Sequence, residues 1–364
     1  MARKSPAHLV QRFIRDSRVP LSFEGREGYT GLDLNENTGL ISSVLARKMG
    51  FADAKVLSRY PEYKKLHSRL AAYAGVSREN VQVVNGSDEA IPKLIRLFFK
   101  KGDTVVLPIP TFFTYGRMLA LEGVRMVHVA HEEEAGELKL PVQNLLTAIR
   151  RKHVKGLIVS NPANPTGGVI TPPEMLLLAE ETSKRGIVFI VDEAYFEFYG
   201  KSSLSLQKRF QNIVILRTFS KVFGFAGLRV GYVIAHPSII KELRKLILPW
   251  EVNHPGVRAA LVAIEKHTQF LKAIPSLRNR GKRLESLLVR HGGTVFCTKT
   301  NFVLCRIRRS ADIVRALKRK GVLVRYITAI DCIRIAIPGK DTYAKTLRIL
   351  STVFRTRSKK GRIP

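Results

Sequence analysis

The spacing of apolar residues changes several times along this chain, and those changes divide it into elements. Residues 62–74 place Tyr63, Leu66, Leu70 and Tyr73 at helical spacing, closed by Gly75, after a turn at Ser58-Arg59-Tyr60-Pro61. From Val81 onward, short apolar runs alternate with amphipathic stretches. Strands are predicted at Val81–Val84, Thr104–Leu107, Arg125–Val129, Gly156–Ser160, Ile187–Val191 and Ile213–Leu216. Helices are predicted between them at Ser87–Lys101, Tyr115–Glu122, Val142–Lys152 and Pro172–Arg185. The last has prolines at its start, where a backbone N–H has no helical partner anyway. Ile187–Val191 and Ile213–Leu216 are apolar at every position, as strands buried on both faces are. The alternation therefore predicts an α/β protein with a mostly parallel sheet sandwiched by helices.

A further apolar run spans Val230–Ala235. Beyond Pro237 the pattern becomes basic and helical, over roughly 238–248 and 255–290. Strand-like pieces follow at Asn301–Arg306, Val322–Arg325 and Cys332–Ile337, with a helix at Ala311–Lys320. This reads as a smaller α+β layer. Residues 1–18 read as a basic amphipathic helix, and Leu32–Asn37 as a short strand leading into a polar loop. The expected division is a large domain over 45–245 and a small domain made of 1–44 and 246–364.

Composition narrows the setting. The 364 residues are 45% hydrophobic and 25% charged, as in soluble globular proteins. No apolar run approaches the roughly 18 residues that span a bilayer, so no membrane partner is expected. Cys297, Cys305 and Cys332 are odd in number and lack metal-ligand spacing, which suggests reduced thiols, a cytoplasmic protein and no metal site. Lys and Arg number 62 against 29 Asp and Glu, a net charge of +33. Such a field favours anionic ligands and non-specific nucleic-acid contact. No zinc-finger spacing or RNA-binding aromatic signature accompanies it, so a specific nucleic-acid partner is not expected.

In open α/β sheets ligands bind at the carboxyl ends of strands, and the chemically suggestive stretches fall there. Thr218-Phe219-Ser220-Lys221 follows one strand, and Arg229 lies eight residues after the lysine. A lysine at a strand end loses its proton more readily when desolvated, and is then a nucleophile towards aldehydes. Thr218, Ser220 and Arg229 are residue types that hold phosphate. Together they suggest a phosphorylated aldehyde cofactor, held covalently. Asn85-Gly86-Ser87-Asp88-Glu89 reads as a phosphate cradle at a helix start or as a plain helix cap. Ser160-Asn161-Pro162-Ala163-Asn164-Pro165-Thr166-Gly167 reads as a rigid turn that could present the Asn164 amide, or as a mere connection. Val191-Asp192-Glu193-Ala194-Tyr195 ends a buried strand, where a carboxylate needs a partner such as a protonated pyridine nitrogen, unless it is a helix cap.

Taken in order with Leu32–Asn37 and Arg59-Tyr60-Pro61, these stretches resemble the fold-type-I pyridoxal-phosphate enzymes of the class I/II aminotransferase superfamily. The resemblance covers roughly residues 29–340 and is greatest to the histidinol-phosphate aminotransferases. It implies that Lys221 forms a Schiff base with pyridoxal 5'-phosphate and shuttles the substrate proton. It implies that Asp192 pairs with the pyridine nitrogen, that Tyr195 and Asn164 contact the phenolic oxygen, and that Phe112 stacks on the ring. Gly86, Ser87, Asp88, Thr218, Ser220 and Arg229 would surround the phosphate, with Tyr60 reaching it across a homodimer interface. Arg334, Arg325 and Asn37 fall to the substrate side, the arginines as anion clamps. The implied reaction moves an amino group between an amine such as L-histidinol phosphate and a 2-oxo acid such as 2-oxoglutarate. A threonine-phosphate decarboxylase and a broad aromatic or aspartate aminotransferase share the ring-binding set. A non-catalytic, nucleic-acid-binding protein on the same scaffold is the reading from another class. The chain departs from the family pattern at Thr38, where proline is usual, at Ser22–Gly25, where a tyrosine is expected, and in the short segment between Arg325 and Arg334.

Overall fold

The computed structural model describes residues 25–41, 43–51 and 53–359. The predicted helix over 1–18, and residues 22–24 of the Ser22–Gly25 pattern, lie outside the described residues. The fully apolar runs form the centre of a seven-stranded sheet. Its strands are β1 (Val81–Val84), β2 (Thr104–Ile109), β3 (Arg125–Ala130), β4 (Val154–Ser160), β5 (Val188–Asp192), β6 (Ile213–Thr218) and β7 (Gly231–Ile234). The order across the sheet is β1-β7-β6-β5-β4-β2-β3, and every strand is parallel except β7.

Alternate residues of the central strands enter different cores. Phe189, Val191, Ile213 and Ile215 belong to one apolar cluster, while Ile190, Val214 and Leu216 belong to the other. Helices Val142–Ile149 and Pro172–Lys184 contribute to the first cluster, and helices Ser87–Phe98 and Phe113–Leu121 to the second. Each core side chain removed from water in this way contributes about 1.5–3 kcal/mol before entropy is counted. A second sheet of four antiparallel strands lies later in the chain. It contains β8 (Thr294–Phe296), β9 (Phe302–Arg306), β10 (Arg325–Ile327) and β11 (Cys332–Ala336), in the order β8-β9-β11-β10. Thr30–Gly31 pairs in parallel with Val322–Leu323, so the first described residues join this later part of the chain.

Several predicted elements differ in detail. The helical pattern over 255–290 is three helices, His254–Glu265, His267–Leu271 and Ile274–Arg290, the last opening with Pro275 near its start. The predicted strand Val322–Arg325 is two strands in different sheets, because Val322–Leu323 pairs with the N-terminal segment. Leu32–Asn37 is not a strand; the strand ends at Gly31, backbone bonds to Leu323 and Ala336 end at Leu32, and Asn35 turns the chain with φ 55°. A hairpin, Glu132–Glu134 with Glu137–Lys139, was not predicted. Its short strands carry a single apolar residue, the buried Leu138, too little for a period to show, and its turn rests on Ala135 and Gly136, both at positive φ. The helix Lys340–Lys359 also escaped the periodicity reading.

One reversal places the site. Because β7 runs against its neighbours, its first residue, Gly231, lies opposite both Val84 at the end of β1 and Thr218 at the end of β6. Arg229 thus arrives at the carboxyl edge of the parallel strands. A Cβ at Gly231 would sit 2.5 Å from the Ser87 nitrogen, so only glycine permits this approach.

Candidate active site

The ends of β4, β5 and β6, and the turn from β1 into helix Ser87–Phe98, open on one cavity of about 370 Å³. Of the residues singled out in the sequence, Ser87, Asp88, Phe112, Asn164, Asp192, Tyr195, Thr218, Ser220, Lys221 and Arg229 all line it. They come from segments far apart in sequence. The Lys221 ammonium donates to the Leu34 carbonyl at 3.1 Å and lies 5.7 Å from the centre of the Tyr195 ring. Asn37 donates to the carbonyls of Lys221 at 3.1 Å and Val222 at 3.3 Å. It is buried behind the lysine loop and not among the lining residues, so its contact is to the protein backbone and not to a substrate space.

Asp192 is buried and accepts from the Tyr115 hydroxyl at 2.9 Å and from the Ala194 N–H at 3.0 Å. Burial lifts its carboxyl from the ordinary 3.8 to about 6, and those two hydrogen bonds hold it below where burial alone would leave it. Burial likewise pushes the Tyr115 phenol up, so it remains a donor. A consequence for stability follows. Below about pH 4 the Asp192 carboxyl is neutral in the folded and the unfolded chain. Between about pH 4 and 6 only the unfolded chain ionises, so stability falls as pH rises, and above pH 6 the whole penalty is present. Asp192→Asn is therefore expected to make the ligand-free protein more stable than the parent at neutral pH, by about 1–3 kcal/mol. That advantage disappears below about pH 4, as urea denaturation at the two pH values would show. Equal differences at both pH values would contradict it.

At the other end of the cavity the side chains suit an anion. The Thr218 hydroxyl donates to Ser220 Oγ at 2.9 Å and accepts from the Ser220 N–H at 3.1 Å. Arg229 sits in the left-handed region, at φ 51° and ψ 59°, a conformation costing about 1–2 kcal/mol outside glycine. It is held there by bonds to the Ala226 carbonyl at 3.2 Å and to Asp88 at 3.0 Å. The Asp88 carboxylate therefore holds Arg229, and its acceptor oxygens do not suit an anion. Gly86 does not line the cavity itself, but a Cβ on it would lie 2.6 Å from Arg229 Nη2 and displace the guanidinium.

Arg334 is buried on β11, donating to the Asn164 side-chain oxygen and, at 2.6 Å, to the Asp33 carbonyl. Its Nε is buried without a partner, and burial pulls its pKa down, the Tyr195 and Asp33 charges opposing that. Arg325 stands directly opposite Arg334 in the β10–β11 pairing and is not among the residues lining the cavity. The short segment between these arginines is a tight hairpin, turned through Thr328–Ile330 and Asp331, with Tyr326 bonded to Asp331 at 2.8 Å. Tyr60 also lies outside the cavity; it is 75% exposed and stacks on Trp250 at 4.4 Å.

Four neighbours of the site escaped the sequence reading. In the sequence Tyr115 marks only the start of a predicted helix. Asn35 donates to the Tyr195 hydroxyl at 2.9 Å, which fixes that oxygen as an acceptor and leaves its proton free to point elsewhere. Ser160 carries a buried hydroxyl with no hydrogen-bond partner, facing the cavity. Glu36 lines the mouth and pairs with Arg26 at 2.8 Å. Asn35 and Glu36 stood in a stretch already marked, but nothing in their spacing told which side chains turn inward.

A buried lysine-bearing strand end, a carboxylate across from it and an anion cradle at a third strand define an enzyme of the type that handles a phosphorylated carbonyl cofactor. The family model for aminotransferase class I and II matches residues 27–349, and the chain belongs to that family. It is a pyridoxal-phosphate-dependent aminotransferase. Among curated relatives, the histidinol-phosphate aminotransferase of Caldanaerobacter subterraneus subsp. tengcongensis is 35% identical over 285 residues, covering 77% of this chain and 80% of the relative. That of Roseiflexus castenholzii is 32% identical over 340 residues, covering 88% and 89%. In fold, the chain is similar to the histidinol-phosphate aminotransferase of Sinorhizobium meliloti in complex with pyridoxal-5'-phosphate, with TM-score 0.85 and 22% identity over 98% of this chain and 99% of that one. It is also similar to L-threonine-O-3-phosphate decarboxylase of Porphyromonas gingivalis, with TM-score 0.76 and 21% identity over 89% and 99%. At these identities the two structures speak for the fold alone.

Proposed function

We propose that this enzyme moves the amino group of L-histidinol phosphate to 2-oxoglutarate, with Lys221 as the residue that joins the cofactor and moves the proton. The amino donor rests on one observation, the 35% identity to a curated histidinol-phosphate aminotransferase over 77% of the chain. The residues present fit pyridoxal phosphate. Ser160 offers an unpartnered buried hydroxyl, Asp192 a buried carboxylate awaiting a cation, and Ser87, Thr218, Ser220 and Arg229 a set of phosphate donors. When bound, pyridoxal phosphate supplies a protonated ring that draws electrons from the substrate carbon. Asp192 would keep the ring nitrogen protonated, since pairing with that cation offsets the burial that disfavours its own charge. Phe112 would cover one face of the ring.

Lys221 Nζ, as the neutral amine, would accept the substrate α-proton and then give it back, a general base that becomes a general acid. In the ligand-free chain its ammonium donates to the Leu34 carbonyl, which holds the side chain in the cavity. The Tyr195 hydroxyl, its oxygen engaged by Asn35, would donate its proton to the ring oxygen, which Asn164 would also contact. Arg334 would clamp the carboxylate of the 2-oxo acid, its fork already oriented by Asn164 and Asp33. A second copy of the chain would bring its own Tyr60 to the phosphate.

A screen of amino donors by half-reaction, following the cofactor's visible spectrum, tests this reading. L-histidinol phosphate is expected to convert the cofactor faster than other phosphorylated or aromatic amines, with no carbon dioxide released. Carbon dioxide from threonine phosphate, or equal rates for all donors, would replace the proposal with decarboxylation or broad specificity. Arg334→Ala is expected to raise KM for 2-oxoglutarate by about 100-fold, as the loss of a charged pair of hydrogen bonds predicts. Its half-reaction with an amine lacking a carboxylate should change far less.

A further inference from the structure

A separate hollow of about 540 Å³ shares no lining residue with the catalytic cavity. Its wall carries Lys48, Lys266, Lys272, Arg280 and Lys340, and no carboxylate. These five cations come from four places. Lys48 is in helix Ser43–Met49, and Lys266 and Lys272 flank helix His267–Leu271. Arg280 is in helix Ile274–Arg290, and Lys340 opens the C-terminal helix. Lys266 pairs with Glu265 at 3.0 Å, outside the hollow, and the Asp341 carboxylate lies beside Gly39 without joining the lining. Among the described residues no carboxylate lies within ion-pair distance of Lys48, Lys272, Arg280 or Lys340. Arg280 spends two donors on the Pro338 carbonyl and Ser276, which fixes its guanidinium in place.

Like charges gathered around one concavity repel, and physiological salt screens such repulsion only over roughly 8 Å. The arrangement is relieved by a ligand with several negative charges. Low-dielectric walls, here Leu40, Leu45 and Phe270, focus the field into the hollow. The volume lies in the range of about 300–1,000 Å³ typical of small-molecule sites. Its concave form suits a compact oligoanion better than a polymer lying on a surface. Lysines recognise phosphate as point charges, and Thr38, Gln269 and Ser276 add uncharged hydrogen-bonding groups to the wall.

We propose that this hollow is a second anion site, binding a small oligophosphate such as a nucleoside triphosphate or inorganic tripolyphosphate. It gives a local use to part of a positive charge that the catalytic cavity does not need. The site also borders the active centre. Thr38, Gly39 and Leu40 of its wall directly follow Asn37, whose amide holds the Lys221 carbonyl. Phe270 of the same wall packs edge-on to Phe223 in the lysine loop at 5.2 Å.

The test is calorimetric titration of the holoenzyme, whose own phosphate cradle is filled by cofactor, at about 0.15 M salt. Tripolyphosphate, ATP and orthophosphate are the probes. Tripolyphosphate is expected to saturate at one per chain and to bind more tightly than orthophosphate. Equal affinity for ATP assigns recognition to the phosphate chain, and tighter ATP binding adds a nucleoside contact. Lys272→Glu/Lys340→Glu should weaken binding by about tenfold or more, whereas Lys184→Glu/Lys318→Glu, with the same net charge, should weaken it by less than about threefold. Equal losses in both pairs would mean diffuse attraction to a basic protein and would overturn the site. So would absence of saturable binding to the parent, or a preference for orthophosphate. Both pairs are first checked for the parent's melting temperature, and two single substitutions, Lys272→Gln and Lys340→Gln, repeat the comparison if either pair unfolds.

Discussion

Lys221→Ala is expected to lower the rate of amino transfer by at least about 10²–10⁴, the contribution of one positioned proton-transfer group. The loss of the covalent link to the cofactor adds to this. The physical ground is that, among the described residues, no other amine lines the cavity. The remaining cation in its lining is Arg229, whose delocalised guanidinium does not replace a nucleophilic amine. The fold should survive, because the lysine side chain is only partly buried and its ammonium is tied to the chain by a hydrogen bond to the Leu34 carbonyl. Intact-mass measurement after borohydride reduction separates the two effects. The parent should retain the cofactor mass and the variant should not. A variant that transfers amino groups within tenfold of the parent would remove Lys221 from the reaction.

The second large effect lies behind the site. Glu193 and Arg217 form an ion pair buried on both sides, with two bonds to Glu193 Oε2 at 3.0 and 2.9 Å. Ser202 joins it through bonds to both partners, and the Arg217 guanidinium lies 3.8 Å from the centre of the Phe196 ring. Removing one member leaves the other charge buried and uncompensated, which costs about 3–5 kcal/mol. Glu193→Gln is therefore expected to lower the melting temperature by roughly 4–7 °C, given the usual unfolding entropy per residue. The pair also joins the neighbours of two site residues, since Glu193 follows Asp192 and Arg217 precedes Thr218. Cofactor affinity should fall with stability. Glu193→Leu combined with Arg217→Met removes both charges and should recover much of the loss in thermal denaturation. If Glu193→Gln melted with the parent, the pair would be idle.

These two cases show how differently parts of the site could be read beforehand. Lys221 was legible because a lysine at the end of an all-apolar strand, with hydroxyls beside it, is chemically unusual in a single short stretch. Asp192 was legible for the same reason: a carboxylate at the end of a buried strand demands a partner. Tyr115 was not, since an aromatic at the head of a helix is ordinarily core, and only packing shows its hydroxyl aimed at Asp192. Asn37 is the opposite case. It lies in a marked stretch and the resemblance puts it on the substrate side, while in the ligand-free chain its amide anchors the lysine loop. The polar type was visible and its direction was not.

The amino-acid order alone determined the alternation of buried strands and covering helices, and with it a mostly parallel sheet whose strand ends carry the reactive residues. Those features are local, since period, capping and apolar runs are written in neighbouring positions. Only the tertiary structure decided that β7 runs backwards and carries Arg229 to the edge where Gly86, Thr218 and Asp192 converge. It alone split Val322–Arg325 between two sheets, and left Tyr60 outside the cavity of its own chain. Strand direction, sheet membership and side-chain aim depend on contacts between residues scores of positions apart, and no local pattern encodes them.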